Sequence, residues 1–251
     1  MLEFLHIHKT FHAGSATEVA ALQDVTFTLE AGSYTVLVGA NGSGKSTLLN
    51  LIAGSIHPDT GSIRLKGREI QRLSDYRRSR WIARVFQDPL LGTAASLTVL
   101  DNFRMAALRG ARKWIRQGTG QAFLKDVRDK VSTLGMGLED KLAQPMGTLS
   151  GGQRQALTLL MTVMADVDVL LLDEPSAALD PRSARMVMEI ADRIIRENGL
   201  TAVLVTHNVS EALRYGTRLM QLENGQVIRD YDQPAKSELS QADVVSWFDY
   251  Y

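Results

Sequence analysis

The 251-residue chain has no cysteine, no excess of either charge and no long apolar run. Without thiols it forms no disulfide framework, thiolate zinc site or iron–sulfur cluster. Its 28 Lys and Arg residues balance its 28 Asp and Glu residues. That balance argues against a nucleic-acid partner, because duplex binding relies on surplus basic groups. No stretch approaches the roughly 18 apolar residues of a membrane-spanning helix, so we expect any membrane contact to go through a partner.

The first nine residues lack the basic segment and apolar core of a secretory signal, so we expect none. A chain of this length can bury a sizeable core, and one α/β domain, with or without a subdomain, is the natural expectation. We find no internal repeat, low-complexity tract or linker.

The clearest functional motif is a glycine-rich stretch, GANGSGKST, at residues 39–47. It lies between a β-branched run at 34–38 and helix-forming residues at 48–53, the strand–loop–helix context of a phosphate-binding loop. The glycines let successive N–H groups point at one anion, to which the helix start adds partial positive charge. We predict that Lys45 reaches the β- and γ-phosphates and that Ser46 coordinates Mg²⁺. The loop residues expected to bind the nucleotide are Asn41, Gly42, Gly44, Lys45, Ser46 and Thr47.

Two buried strands are predicted to end in reactive side chains. The apolar run VLLLDEP at residues 169–175 is typical of a parallel strand covered on both faces, and it ends in Asp173 and Glu174. In open α/β sheets, ligands bind at the carboxyl ends of the parallel strands. We predict that Asp173 holds Mg²⁺ and that Glu174 orients or deprotonates water. His207 follows the strand at 201–206, where a γ-phosphate contact is expected.

Two further sites admit two interpretations each. Phe11 is either a core aromatic at a strand end or a stacking platform for a base. Ser150, followed by two glycines, is either the N-cap of an apolar helix at 153–165 or part of a second anion-binding helix start.

The remaining pattern predicts mixed α/β structure. A helical region occupies 88–165, with turns at positions such as Gly118. Asn224-Gly225 marks a hairpin, and the tail from Pro234 reads as one amphipathic helix. The arginine-rich run at 68–84 is typical of a solvated face, with an anionic or membrane-proximal contact as the minority interpretation. Strands are predicted at 2–8 and 25–29, with a short strand pair at 62–65 and 67–68. Helices are predicted at 99–109, 120–134, 153–165 and 182–198.

The order GANGSGKST, VFQDP, LSGGQRQ, VLLLDEP, ALD and VTH resembles the nucleotide-binding subunit of an ATP-binding-cassette (ABC) transporter. The resemblance covers essentially the whole chain, and LSGGQ is specific because ordinary P-loop ATPases lack it. It implies a single ABC ATPase domain over residues 1–251, of the α/β P-loop NTPase class. A RecA-like core with an antiparallel β subdomain is expected at 1–87 and 161–251, and an inserted helical subdomain at 88–160.

The resemblance also implies roles for individual residues. Phe11 matches the adenine-stacking aromatic, usually Tyr, and Gln87 matches the glutamine that binds Mg²⁺ and couples the two lobes. Asp180 matches an interface aspartate. Ala177 stands where the family often has Ser, which puts a hydrogen bond across the interface in doubt. Asp173 matches the Mg²⁺ aspartate, Glu174 the catalytic glutamate and His207 the switch histidine. The signature that contacts the other subunit's ATP is matched by Ser150, Gly152 and Gln153.

The implied mechanism is a head-to-tail dimer in which each ATP lies between the phosphate loop of one chain and the LSGGQ of the other. Hydrolysis of the bound ATP then resets the transporter. The expected partners are a second ATPase subunit, a transmembrane permease docking near Gln87 and an extracytoplasmic substrate-binding protein. The subunit is then expected at the cytoplasmic face of the plasma membrane. Apolar residues also lie on either side of Gln87, and two interpretations are open for them. One is core packing between the lobes, which is favoured for Phe86, and the other, expected for at least some of the rest, is a groove that receives a short helix of the permease. The residues are Trp81, Phe86, Leu90, Leu91 and Leu97.

Within the family, residues 93–102, the LRG segment at 108–110 and LSGGQRQALTLLM are similar to subunits of bacterial uptake systems for amino acids such as tryptophan and tyrosine. The alternative is a soluble assembly ATPase of the same fold, like those of iron–sulfur biogenesis, which acts on a scaffold. DNA-repair members carry long coiled-coil insertions and translation members fuse two cassettes, and this chain has room for neither.

Overall fold

The computed structural model describes residues 1–109 and 120–248. The predicted turn at Gly118, Gly110 of the LRG segment and the end of the tail at 249–251 lie outside that part. The strands are β1 (Leu2–Phe11), β2 (Val19–Leu29), β3 (Tyr34–Val38), β4 (Thr60–Leu65), β5 (Arg68–Glu69), β6 (Ile82–Val85), β7 (Val169–Asp173), β8 (Thr201–Val205), β9 (Arg218–Glu223) and β10 (Gln226–Tyr231). The helices are α1 (Lys45–Ala53), α2 (Asp75–Arg78), α3 (Val99–Ala107), α4 (Gln121–Ser132), α5 (Gly151–Thr162), α6 (Pro181–Glu197), α7 (Val209–Arg214), α8 (Gln233–Ser237) and α9 (Gln241–Ser246).

The central sheet has the strand order β10-β9-β3-β8-β7-β6 and is parallel except for the edge strand β10. Every residue of β3 and β8 is buried, as expected for parallel strands covered on both faces. Alternate residues enter two different cores: Val36 and Leu204 belong to one, and Leu37 and Val203 to the other. The predicted α/β P-loop class is confirmed.

A second, antiparallel sheet has the order β2-β1-β4-β5 and shares a core with α1. This is the predicted β subdomain. Our boundaries for its first two strands were wrong, since they ended β1 at residue 8 and began β2 at 25. Pairing continues through register shifts, with Lys9 opposite Leu22 and Phe11 opposite Val19. At each register shift the ladder is locally irregular, but the two strands stay paired beyond their predicted bounds.

The helices of the 88–165 region lie close to their predicted bounds. One core runs from the central sheet through α3, α4, α5 and α6. The division at residues 88 and 160 stays a prediction. Across residues 1–109 and 120–248, no helix combines the length and apolarity that a membrane crossing demands.

In the C-terminal part, the predicted hairpin is confirmed and the predicted single helix is wrong. Asn224 and Gly225 have φ angles of 47° and 76°, which suit the tight hairpin turn between β9 and β10. The tail, predicted as one helix, forms two short ones, because Ser240 starts a new helix with a capping box. The indole of Trp247 stacks on Tyr231, with ring centroids 5.6 Å apart.

The arginine-rich run is not simply a solvated face. Arg77 and Arg80 are exposed, but Arg78 is fully buried. Its guanidinium donates to the carbonyls of Leu51 and Ile52 at the end of α1, and to the carbonyl of Leu73. Burial lowers the pKa of Arg78 to about 10, so the group stays charged at neutral pH. It satisfies helix-end carbonyls that would otherwise lack donors.

We expect Arg78→Ala to lower the free energy of unfolding by about 2–4 kcal/mol, because it leaves buried carbonyls unpaired and opens a cavity. Urea titration of both variants should show the exposed neighbour Arg77→Ala within about 0.5 kcal/mol of wild type. Equal stability of the Arg78→Ala and Arg77→Ala variants would contradict the buried capping role.

Candidate active site

Four neighbouring parallel strands end at the same edge of the central sheet, in the spatial order β3, β8, β7, β6. The phosphate loop follows β3 and His207 follows β8. Asp173 ends β7, with Glu174 next to it, and Gln87 lies two residues beyond β6. The topology therefore brings four predicted parts of the site to one edge, although 168 positions separate the glycine at 39 from the histidine at 207.

The phosphate loop requires glycine at its two ends. Gly39 has a φ of 153°, and a Cβ there would lie 2.1 Å from the Leu222 carbonyl oxygen. Gly44 has a φ of 106°, and its Cβ would lie 2.5 Å from the Ala21 carbonyl oxygen. Both backbone conformation and close packing exclude a side chain. The loop is thus wedged between β2 and β9 before it enters α1.

Lys45 turns back into the curl of this loop. Its ammonium donates to the carbonyl oxygens of Gly39 and Ala40 at 2.7 and 2.9 Å. Burial lowers the pKa of Lys45, and the carboxylates of Glu174 and Asp173 act in the opposite direction. An ammonium held by loop carbonyls at a helix start can bind an anion with little rearrangement.

The other loop residues differ in exposure. Asn41, Gly42 and Ser46 are exposed, while Gly44 and Thr47 are half-buried. The Ser43 hydroxyl, which the sequence did not single out, is buried without a hydrogen-bond partner. A buried polar group without a partner is expected to gain one when a ligand binds. The curled loop, its ammonium and this hydroxyl fit a phosphate group.

Gln87 and Asp173 line one cavity of about 600 Å³, together with Asn50 of α1. Gln87 is exposed and Asp173 is half-buried. Asn50 lies one helical turn beyond Ser46 on the same helix. The oxygens of Ser46, Gln87 and Asp173 are hard donors of the kind that Mg²⁺ prefers.

Glu174 lies in a neighbouring cavity of about 450 Å³, which His207 also lines. The Nδ1 atom of His207 is 3.0 Å from Oε2 of Glu174. Glu174 has a φ of 46°, a conformation that costs a non-glycine residue of order 1–3 kcal/mol and is common at functional sites. Its N–H donates to the carbonyl of Val205 on β8. The strained backbone aims this carboxylate into the cavity beside the histidine.

The LSGGQ residues start α5, outside both of these cavities. Ser150 is the N-cap, and it forms a reciprocal capping box with Gln153. Ser150 therefore caps the helix and is exposed to solvent, and its part in a second anion-binding site stays a prediction. A Cβ on Gly152 would lie 2.8 Å from Cβ of Ser183, so α5 and α6 pack too closely there for a side chain.

The remaining predicted residues lie at element ends. Phe11 is half-buried at the end of β1, with the Lys9 ammonium 5.5 Å from its ring centroid. Asp180 is the N-cap of α6, where hydrogen bonds from Ser183 lower the pKa of its carboxyl group. Ala177 is exposed in the cavity that contains Glu174.

Gln155 and Glu211 are further site residues that were missed from the sequence. Gln155 is fully buried in α5 and donates to the carbonyls of Phe86 and Pro175. It thus ties α5 to the segments that carry Gln87 and Glu174. A polar residue within a largely apolar helix was the available indication. Glu211 accepts hydrogen bonds from the hydroxyls of Ser176 and Thr206, both 2.7 Å long, and no sequence pattern marked it.

Comparison with known proteins agrees with this geometry. Residues 22–177 match the family described as ABC transporter. A tyrosine transport ATP-binding protein of Clostridioides difficile (strain R20291) is 37% identical over 254 residues, covering 100% of this chain and 99% of that protein. A phosphonates import ATP-binding protein of Stutzerimonas stutzeri is 39% identical over 238 residues, covering 91% and 83%.

A similar solved structure is a dimeric ATP-binding cassette in a post-hydrolysis state, bound to ADP and Pi. It is 26% identical, has a TM-score of 0.79, and the match covers 93% of this chain and 99% of that one. The chain therefore belongs to the ABC transporter family, as an ATP-binding subunit with ATPase activity.

Proposed function

We propose that two copies of this chain bind two ATP molecules between them and hydrolyse them to drive a membrane permease that imports an amino acid. ATP hydrolysis is supported most directly by the sheet topology, which brings the phosphate loop, Glu174, His207 and Gln87 to one edge. The dimeric cassette with bound ADP and Pi supports the two-chain arrangement.

For the nucleotide, Lys45 and the loop N–H groups bind the β- and γ-phosphates, and Phe11 stacks on the adenine. Ser46, Asp173 and Gln87 would hold Mg²⁺, which would supply positive charge to neutralise the charge that develops on the phosphates. Gln87 and Asp173 share a cavity, which supports this ligand set.

For the chemistry, Glu174 accepts a proton from the attacking water or orients it, and His207 donates a hydrogen bond towards the γ-phosphate. The 3.0 Å separation between Nδ1 of His207 and Oε2 of Glu174 supports a shared task. The positive φ of Glu174 supports a catalytic role, because strained backbone conformations cluster at active sites.

The second chain contributes Ser150, Gly152 and Gln153 to the same ATP. Gly152 is buried against α6, but Ser150 is exposed and is capped only within its own chain, which supports access of an anion from outside. Asp180 lies in the contact between the two chains. Ala177 there lacks the hydroxyl that many relatives use, so this interface relies on other contacts.

The permease docks on an apolar patch beside Gln87, formed by Leu90, Leu91 and Leu97. These side chains are 47%, 69% and 40% exposed. Trp81 belongs elsewhere, because it lines a separate cavity with Leu65 and Ile70. Phe86 is half-buried beneath Arg84, which favours the packing interpretation for that ring.

Import of an amino acid such as tyrosine is proposed from a relative that matches this chain end to end. Names of other relatives also refer to import or uptake, of phosphonates and of glycine betaine. Such a system includes an extracytoplasmic substrate-binding protein, and the ATPase is peripheral at the cytoplasmic face. The soluble assembly ATPase is not favoured by these relatives.

The docking patch is tested by cross-linking from Leu91→Cys, since the chain has no cysteine of its own. With a short reagent that is thiol-reactive at one end and photoreactive at the other, membranes that contain the complete complex should yield an adduct with the polytopic subunit. Ile228→Cys is the control, because Ile228 is also exposed, at 43%, but lies on β10. It should give no such adduct.

Adducts of the Leu91→Cys chain with the substrate-binding protein alone, or equal adducts from both cysteine positions, would remove the docking site from this patch. If a soluble scaffold protein is captured instead of a polytopic subunit, the assembly ATPase is the better assignment.

A further inference from the structure

Arg84 is a charged residue that lines the same cavity as Gln87 and Asp173 and that neither the motifs nor the family resemblance singled out. It lies on β6, three positions before Gln87. Its Nη1 donates to Oδ1 of Asn50 at 2.6 Å, and its Nη2 donates to Oδ2 of Asp173 at 2.5 Å. Its guanidinium carbon lies 4.7 Å from the ring centroid of Phe86. One side chain therefore touches α1, the end of β7 and the segment before Gln87.

These contacts are largely shielded from solvent. The side chains of Arg84 and Asp173 are 13% and 17% exposed. A charge pair in such surroundings is screened much less by salt and water than a surface pair. The Arg84 side chain is also fixed at several points, because Asn50 holds one nitrogen and the ring of Phe86 supports the guanidinium plane.

The pairing uses one oxygen of the carboxylate. Arg84 contacts Oδ2 of Asp173, and a carboxylate has lone pairs enough on Oδ1 to bind a cation at the same time. Two effects then act on any cation at Asp173. The arginine fixes the rotamer of the carboxylate, which favours binding, and it places a positive charge beside a second positive charge, which opposes binding.

We propose that Arg84 is a positioning residue that holds Asp173 in place and weakens its grip on the divalent cation that accompanies the nucleotide. This inference rests on the proposed role of Asp173 as an Mg²⁺ ligand. The charge effect exceeds the loss of orientation, because the guanidinium lies 2.5 Å from the ligand carboxylate in surroundings largely shielded from solvent. Weaker retention of the cation allows the spent nucleotide to leave after hydrolysis.

The test is equilibrium binding of a fluorescent ATP analogue at a series of Mg²⁺ concentrations, which requires no turnover. Arg84→Met removes the charge at similar length. We expect the Mg²⁺ concentration for half-maximal binding to fall on the order of ten-fold relative to wild type. Arg84→Lys retains the charge and should stay within about two-fold of wild type. Because the pair is largely shielded from solvent, added salt should leave most of the difference between the Met variant and wild type in place.

Arg84→Gln is a second neutral variant that can still hydrogen-bond Asn50 or Asp173, and circular dichroism establishes which variants are folded. Both folded neutral variants should show the lowered Mg²⁺ requirement. An unchanged or raised requirement in a folded neutral variant would overturn the inference, as would a Lys variant that behaves like Met.

Asp173→Asn separates this inference from the assignment on which it rests. If Asp173→Asn loses the Mg²⁺ dependence of binding while the neutral Arg84 variants match wild type, only the role of Arg84 is wrong. If Asp173→Asn keeps the full Mg²⁺ dependence, Asp173 does not bind the cation and both proposals fall.

Discussion

Glu174→Gln is expected to bind ATP as wild type does and to lose about 10²–10⁴-fold of its turnover, the range for removal of a general base. The amide has the shape of the carboxylate, so the strained backbone at φ 46° and the contact with His207 can persist. It cannot accept a proton or carry the negative charge that orients a water molecule. Phosphate-release assays and binding of a labelled ATP analogue measure the two properties separately.

Glu189→Gln is a suitable control, since Glu189 is an exposed carboxylate on α6 that pairs with Arg214. Its turnover should match that of wild type. Turnover of Glu174→Gln within a few-fold of wild type would place the base on another residue.

Two inactive variants should restore activity when mixed, if each ATP lies between two chains. Lys45→Ala removes the ammonium at the phosphate loop, and Ser150→Arg blocks the helix start with a bulky side chain. In a mixed dimer, one site combines the intact loop of the Ser150→Arg chain with the intact signature of the Lys45→Ala chain. Random pairing leaves about a quarter of all sites intact, which sets the expected recovery.

The matched control replaces the Lys45→Ala chain by a chain carrying both substitutions. Mixing that double variant with Ser150→Arg leaves no chain that can supply an intact signature, so no recovery is expected. If differently tagged chains demonstrably pair in the first mixture and activity still does not rise, the shared site is contradicted.

Local features of the fold were predictable because a few adjacent residues determine them. The phosphate loop is defined by glycines that must adopt positive φ, and the hairpin by Asn224-Gly225. The runs at 169–173 and 201–205 are apolar throughout, so their burial on both faces followed from the sequence. The shared order of the motifs then indicated the family.

Contacts between distant residues were not predictable, because no sequence pattern reports them. Arg84 meets Asp173 across 89 positions, and Arg78 meets the Leu51 carbonyl across 27. Both arginines were assigned to a solvated face. Glu211 gains its role from Ser176, 35 positions away. Burial of a polar group depends on which partners the topology supplies, and that is decided only when the chain is folded.

The molar mass of the Glu174→Gln chain in solution tests the shared site most directly. Light scattering should give 27.7 kDa, the mass of one chain, without nucleotide. With saturating ATP and Mg²⁺ it should give twice that mass, because ATP that cannot be hydrolysed keeps the two chains together. Adding Ser150→Arg to the same chain should abolish the shift. A chain that binds ATP fully and remains at the mass of one chain would contradict the account.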